Sequence, residues 1–268
     1  MVLTRGTLKR ELKTFMNFTI LSFDTIDSTN TEAIKQAKLG AAEGLCIIAR
    51  QQTAGRGRFG RMWVSEKDAG LYFSLVLRPK LEIQFLPLIT LMTGVAVFDT
   101  LSDYGLKPDI KWVNDILVNE KKIAGVLAEA VETAKGLAVI VGIGINLKSS
   151  DFPPEIARLA TSIKFETGET VTSGDLATML TRYFAYFYDI LLDDQDGPAR
   201  ILVEWQQRST YFRGKYVRVA LENEVITGTT DGLEDNGALR VKTSGGEIKI
   251  IQAGDVESLR REFMHIDI

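Results

Sequence analysis

Three glycines and three arginines share one seven-residue stretch, Gly55-Arg56-Gly57-Arg58-Phe59-Gly60-Arg61, with Gln52 before it and Trp63 after it. Glycine lets a backbone approach a ligand closely. The arginine fork matches carboxylate and phosphate oxygens. Such a loop is suited to closing over an anion; taken alone, the same composition also describes a solvated basic turn. Its glycines satisfy G-x-G-x-x-G, the dinucleotide fingerprint. That reading fails because the following segment reads as a strand, whereas the fingerprint opens a helix.

A second group is Lys111-Trp112-Val113-Asn114-Asp115, followed by Lys121-Lys122-Ile123-Ala124-Gly125. An apolar strand ends in Asn-Asp, and a hairpin would return Lys122 toward that end. Asn, Asp and Lys together suit a metal, a ribose or phosphate, or a negatively charged intermediate. A polar turn with exposed lysines is the other reading. Gly142-Ile143-Gly144-Ile145-Asn146 closes an apolar strand. Glycines there mark the close approach of a ligand, or of a packed helix. Ser28-Thr29-Asn30 by itself reads as a helix cap.

The elements that must position these groups follow from periodicity and turn residues. Strands are expected at Phe18–Phe23, Leu45–Arg50, Gly70–Leu77, Ile110–Val113, Ile116–Val118, Ile123–Ala130 and Leu137–Ile145. Asn119-Glu120 reads as a hairpin turn. One helix starts at Ser28-Thr29-Asn30, with Thr29 and Glu32 at capping-box spacing and Gly40 as its stop. Others are expected over Leu86–Tyr104, along the stripe Leu176, Met179, Leu180, Tyr183, Phe184, Phe187 and Leu191, and near Pro198–Gln207. After Arg213-Gly214 the pattern changes to short strands at Lys215–Leu221, Val225–Thr230, Ala238–Thr243 and Glu247–Ile251. That spacing suggests a small all-β barrel of about five strands, with a boundary near Gly214.

Composition excludes several classes. The 268 residues carry a net charge of −3, against the basic stripe expected of a nucleic-acid binder. The single cysteine, Cys46, lies in an apolar run and reads as a buried structural thiol; the single histidine is His265. Neither a Ser-His-Asp triad nor a histidine-based zinc site can be built from that inventory. No signal peptide or membrane span is read, and a cytoplasmic location is expected.

In this order the motifs resemble those of the biotin protein ligase family: Ser28-Thr29-Asn30, Gln52 with the Gly55–Arg61 loop, Lys111–Asp115, Lys122-Ile123-Ala124-Gly125 and Gly142–Asn146. Val113 replaces the family's usual proline. The resemblance implies an α+β fold: a mixed sheet flanked by helices, of the class II aminoacyl-tRNA synthetase/biotin ligase kind, followed by an SH3-like β-barrel. Residues 1–17 would form an N-terminal arm, 18–213 the catalytic domain and 214–268 the barrel.

The activity implied is ATP-dependent formation of biotinyl-5′-AMP and transfer of biotin to a lysine of a biotin carboxyl carrier protein, with Mg2+ accompanying ATP. By the same resemblance, Ser28, Thr29, Asn30, Gln52, Arg56, Gly57, Arg58 and Lys122 bind biotin. Arg56, Arg58, Arg61, Trp63, Lys111, Asn114 and Asn146 face ATP, and Lys122 and Arg58 serve catalysis. Metal ligands are not assigned. A lipoate or octanoate ligase and a biotin-responsive repressor are the alternatives. Only 27 residues precede Ser28, fewer than the ~60 of a usual DNA-binding domain, so no specific DNA binding is expected. Both monomer and homodimer remain open.

Overall fold

The computed structural model describes residues 16–148, 154–221 and 224–258. Most of the N-terminal arm, and His265, lie outside the described residues. The chain opens with strand β1 (Thr19–Ile26), helix α1 (Thr29–Lys38), β2 (Leu45–Gln52) and β3 (Gly70–Leu77). Helix α2 (Leu88–Asp103) then leads to β4 (Asp109–Lys111), β5 (Asp115–Val118), β6 (Lys121–Thr133) and β7 (Gly136–Asn146). Two short helices, α3 (Pro154–Ala157) and α4 (Ile163–Thr167), precede the long α5 (Ser173–Leu191) and α6 (Gly197–Gln206).

These strands form one seven-stranded sheet in the order β1-β2-β3-β7-β6-β5-β4. Only β1 and β2 run parallel; the other neighbours are antiparallel, so the sheet is mixed, as expected. Strand β3 is buried along its whole length. Its odd-numbered residues Leu71, Phe73, Leu75 and Leu77 join the main core with α2, α5 and α6. Val76 faces the other way, into a smaller core with Ala33 and Ala37 of α1, Ile47 and Ile140. This period-2 alternation assigns each strand residue to a layer, and the candidate site lies on the α1 side.

Helix α2 is apolar nearly all round, which marks a helix buried on every side. With its lead-in turn, Ile83–Asp103, it is long and apolar enough to cross a bilayer, but most of it is buried between the sheet and α5. It is therefore a core helix. Cys46 is fully buried, and burial pushes its thiol up to about 12, as suits an inert structural residue.

Some local expectations need correction. At α1 the N-cap is Ser28, without a side-chain cap bond, and Thr29 is already helical. The Thr29 hydroxyl bonds Gln52 instead, so no capping box forms; Glu32 bonds Gln36 and Lys35. Strand β4 stops at Lys111, and the Trp112–Val113 peptide is cis. The turn at Asn119-Glu120 is present, both residues having positive φ (50° and 63°).

The second sheet contains β8 (Arg213–Ala220), β9 (Val225–Leu233), β10 (Leu239–Lys242), β11 (Ile248–Ile251) and β12 (Asp255–Ser258). All its pairings are antiparallel, in the order β11-β10-β9-β8-β12. The last strand was not separately legible in the sequence. The sheet seats against the first through Gly237, whose carbonyl accepts a 3.0 Å hydrogen bond from Trp112 Nε1. A Cβ at Gly237 would lie 2.7 Å from Leu91 and 2.9 Å from Leu88. Only a residue without a side chain fits there, and its φ is +85°.

Candidate active site

The ordered motifs converge on one cavity on the α1 face of the large sheet. Its floor has almost no side chains. Gly125 of β6 pairs with Gly144 of β7, and Leu127 pairs with Gly142. A Cβ at Gly142 would meet Asn30 Oδ1 at 2.1 Å, and one at Gly144 would meet the Trp63 ring at 2.4 Å. The glycines are there because other groups need the space.

One end of the cavity is a neutral hydrogen-bonding wall. Ser28, Thr29 and Asn30 are all buried at the N-terminus of α1. Gln52 Oε1 accepts from Thr29 N (2.8 Å) and from the Thr29 hydroxyl (3.1 Å). Gln52 Nε2 donates to Ser65 Oγ (2.7 Å), and Ser65 donates to the Trp63 carbonyl (3.0 Å). These partners fix which way round the Gln52 amide stands. Asn30 Nδ2 donates to Glu129 (2.8 Å), and its Oδ1 accepts from Ser74 (2.6 Å). Ser74 is the lone polar residue of an otherwise apolar strand centre, and that was its signal in the sequence.

The other end is cationic. Lys111 and Lys122 flank Asp115, with Nζ–carboxylate distances of 2.8 and 2.6 Å. Burial would raise the Asp115 carboxyl, but the two ammoniums outweigh it and hold it below its ordinary value. Lys122 reaches this side because β6 carries a bulge. Ile116 pairs with Ala124 and Leu117 with Lys122, leaving Ile123 unpaired. Ile123 and Ala124 both enter the core, and the displaced alternation turns Lys122 to the cavity. Lys121 lies instead 5.7 Å above the Phe165 ring.

The arginine loop crosses above. Gly57 N donates to Arg61 O, and Trp63 N to Gly55 O, which ties the loop into a narrow hairpin. Arg56 pairs with Glu129 (2.7 Å), and Arg61 pairs with Asp255 of β12. Among the described residues, Arg58 hydrogen-bonds neutral acceptors, Asn114 Oδ1 (3.1 Å) and Gly254 O (3.3 Å), with the Asp255 and Asp115 carboxylates acting on it from farther away. Desolvation depresses its guanidinium below the ordinary value. Trp63 lies on the glycine floor beneath Lys122, 5.3 Å from its ammonium, with Nε1 buried and without a hydrogen-bond partner among the described residues. The cavity left is about 130 Å³. Pockets that enclose drug-sized ligands run to ~300–1,000 Å³, so loop and indole fill part of the space such a ligand needs.

Ser28, Thr29, Asn30, Gln52, Arg56, Gly57, Arg58, Arg61, Trp63, Asn114 and Lys122 all line this cavity. Lys111 and Asn146 do not. Lys111 is engaged with Asp115. Asn146 donates to Thr161 O (3.0 Å) and Lys122 O (3.5 Å), so it braces the Lys122 backbone. Sequence reasoning missed Ser65, Ser74, Glu129 and Asp255. Asp255 had no signal, since nothing in its neighbourhood marks it as reaching back across the chain.

Comparison with known proteins identifies the family. Residues 22–146 match the Biotin/lipoate A/B protein ligase family, and residues 213–258 match the Biotin protein ligase C terminal domain. The bifunctional ligase/repressor BirA of Bacillus spizizenii is 36% identical over 87% of this chain and 72% of its own. The biotin–[acetyl-CoA-carboxylase] ligase of Paracoccus denitrificans is 34% identical over 86% of this chain and 96% of its own. The biotin protein ligase from Aquifex aeolicus, solved in complex with biotin and ATP, superposes with a TM-score of 0.76. It is 29% identical, over 90% of this chain and 99% of its own. The chain belongs to the biotin protein ligase family.

Proposed function

We propose that this cavity joins biotin to AMP and then delivers biotin to a lysine of a carrier protein. The observation that carries the reading is the polarity of the cavity: a neutral wall of Thr29, Asn30 and Gln52, a bare glycine floor, and a cationic end at Lys122 and Arg58. That sequence matches a ligand with an uncharged ureido head, an apolar body and a reacting carboxylate.

A biotin carboxylate oxygen attacks the α-phosphorus of ATP. The bond from the α-phosphorus to the α,β-bridging oxygen breaks, giving biotinyl-5′-AMP and pyrophosphate. The neutral ε-amine of the carrier lysine then attacks the acyl carbon; the acyl–phosphate bond breaks, AMP leaves, and the amine gives up its proton as the amide forms. No enzyme nucleophile is needed. Two anions must be brought together and water kept from the anhydride. Lys122 and Arg58 provide fixed positive charge for the first task, and Asn114 orients Arg58. The loop over the cavity serves the second.

Among the described residues no three acidic, histidine or cysteine side chains cluster to hold a resident metal. Mg2+ typically takes one or two carboxylates plus substrate phosphates. Both Asp115 oxygens are engaged by Lys111 and Lys122, so no protein ligand is assigned to an ion arriving with ATP, which would neutralise phosphate charge. The acceptor is a biotin carboxyl carrier protein or domain. We assign residues 18–213 to catalysis and 214–268 to the barrel that borders the site. Specific DNA binding is not part of this reading, given the net charge of −3, and a gel shift with and without biotin tests that. ATP dependence fits a cytoplasmic location.

The deciding experiment is pyrophosphate release from ATP with biotin, lipoate, octanoate or no acid. Release with biotin alone is expected. Equal release with lipoate or octanoate would move the chain to the neighbouring ligases, and none with any acid would refute the reading.

A further inference from the structure

We infer that Glu129 and Asp255 are positioning residues that anchor the arginine loop from two different sheets, so that Arg58 is left as the loop arginine whose charge is not paired. The inference rests on the ligase reading above and deepens it. The three loop arginines share one short sequence, yet their surroundings differ. Arg56 is held by Glu129 of β6 at 2.7 Å. Arg61 is held by Asp255, at the start of the barrel strand β12. Arg58, between them, has no carboxylate partner at ion-pair distance among the described residues; its acceptors are an amide oxygen and a backbone carbonyl.

The arrangement has an electrostatic logic. Three guanidiniums in one short hairpin repel one another. Neutralising the outer two removes most of that repulsion and leaves one net positive charge over the cationic end of the cavity. Burial already disfavours the Arg58 charge there, so an arriving anion supplies what the site lacks. Glu129 has a second connection. Its other carboxylate oxygen accepts from Asn30 Nδ2 at 2.8 Å. One side chain therefore fixes both a residue of the neutral wall and the first arginine above it. Asp255 does the corresponding task at the far end and brings the barrel into the site.

Neither anchor is strong. Side-chain exposures are 42% and 24% for Arg56 and Glu129, and 68% and 27% for Arg61 and Asp255. Pairs so exposed contribute little individually and are screened by salt. Weak anchors suit a loop that must open for entry and for the carrier lysine. Their expected effect is on how long the adenylate is retained, with little on bond making.

The test uses the full chain and the release rate of biotinyl-5′-AMP formed in place. Glu129→Gln keeps an acceptor for Asn30 but loses the charge that holds Arg56; Asp255→Asn does the same for Arg61. Each is expected to speed release about two- to fivefold, and the double variant about tenfold. Turnover in biotin-dependent pyrophosphate exchange should stay within about twofold of the parent. Parent release should quicken as salt rises through the screening range, and the double variant should respond much less. Exchanging the charges, Asp255→Arg with Arg61→Asp, should restore slow release relative to Asp255→Arg alone, and serves if a single variant folds poorly. Unchanged release in both single variants overturns the anchoring, as does undiminished salt dependence in the double. A collapse of exchange turnover with unchanged release would place the carboxylates in the chemistry and also overturn it. If the parent chain shows no biotin-dependent pyrophosphate release, the ligase reading itself falls, a result distinct from an active parent whose variants behave like it.

Discussion

Lys122 Nζ lies 2.6 Å from Asp115 Oδ1, although the ordinary alternation of β6 would have turned Lys122 into the core. The bulge at Ile123 makes the contact. Negative charge grows on the phosphoryl oxygens as the acyl oxygen attacks, and a cation placed there stabilises the transition state more than the separated reactants. Lys122→Ala is expected to cost ~3–4 kcal/mol in adenylate formation, a loss of hundreds-fold. Lys121→Ala should be mild, because that ammonium lies over Phe165. Biotin-dependent pyrophosphate exchange on both variants, with circular dichroism as the folding control, decides the matter. The reverse order of damage would refute the register.

Asp115 is held ionised between two lysines, and this has a pH signature. Its folded-state pKa lies below the ordinary 3.8. Its contribution to stability is therefore present above the usual carboxylate range and lost as pH falls through the folded value. Asp115→Asn leaves Lys111 and Lys122 facing each other. Lys122 is one-third exposed, so the cost at neutral pH is discounted to about 1–3 kcal/mol. Urea melts from pH 7 downward should show the gap between parent and variant closing below pH ~4. A gap constant across that range would mean that charge is not its cause.

The glycine floor gives a steric prediction. Gly142→Ala places a methyl where Asn30 Oδ1 now lies, 2.1 Å from the new carbon. Asn30 is buried and held by Glu129 and Ser74, so it has little room to move. Overpacking of this kind costs about 1–3 kcal/mol, and the neutral wall is what it distorts. Biotin affinity measured by calorimetry should fall about tenfold or more. Unaltered affinity would show that Asn30 is not part of the biotin contact.

The barrel's seat is equally narrow. At Gly237, φ is +85° and a Cβ would press on Leu91 and Leu88. Gly237→Ala is expected to destabilise the fold by about 1–3 kcal/mol and to quicken adenylate release, because Asp255 moves with the barrel. Thermal melting and the release assay together test this. A loss of stability without any change in release would separate the barrel's packing from the loop.

Much of this was legible beforehand. Gly70–Leu77 was readable to the residue because a run of apolar residues bounded by Gly and Arg-Pro leaves little choice of ends. The turn before Lys122 was legible because Asn119 tolerates positive φ at the place where a hairpin demands it, whereas the bulge at Ile123 that turns Lys122 to the cavity had no signal in the sequence. The pairing of loop arginines was not. Glu129 and Asp255 are 73 and 194 positions from their partners, and spacing carries no information at such separations. Thr29 misled for a related reason: a hydroxyl at a helix start reads as a cap, but here a long-range acceptor, Gln52, claims it.

Trp63 gives the molecule an optical consequence. The chain has three tryptophans. Trp112 and Trp205 are shut in the core, at 2% and 0% exposure, and neither lines the cavity. Trp63 lies in the cavity itself, under the Lys122 ammonium and against bare glycine backbone. Anything that enters must displace the indole, cover it or change the charge above it. Its emission should therefore shift when the cavity fills while the other two stay constant. The intrinsic fluorescence of the unlabelled chain is a gauge of site occupancy, readable in real time and without a substrate analogue.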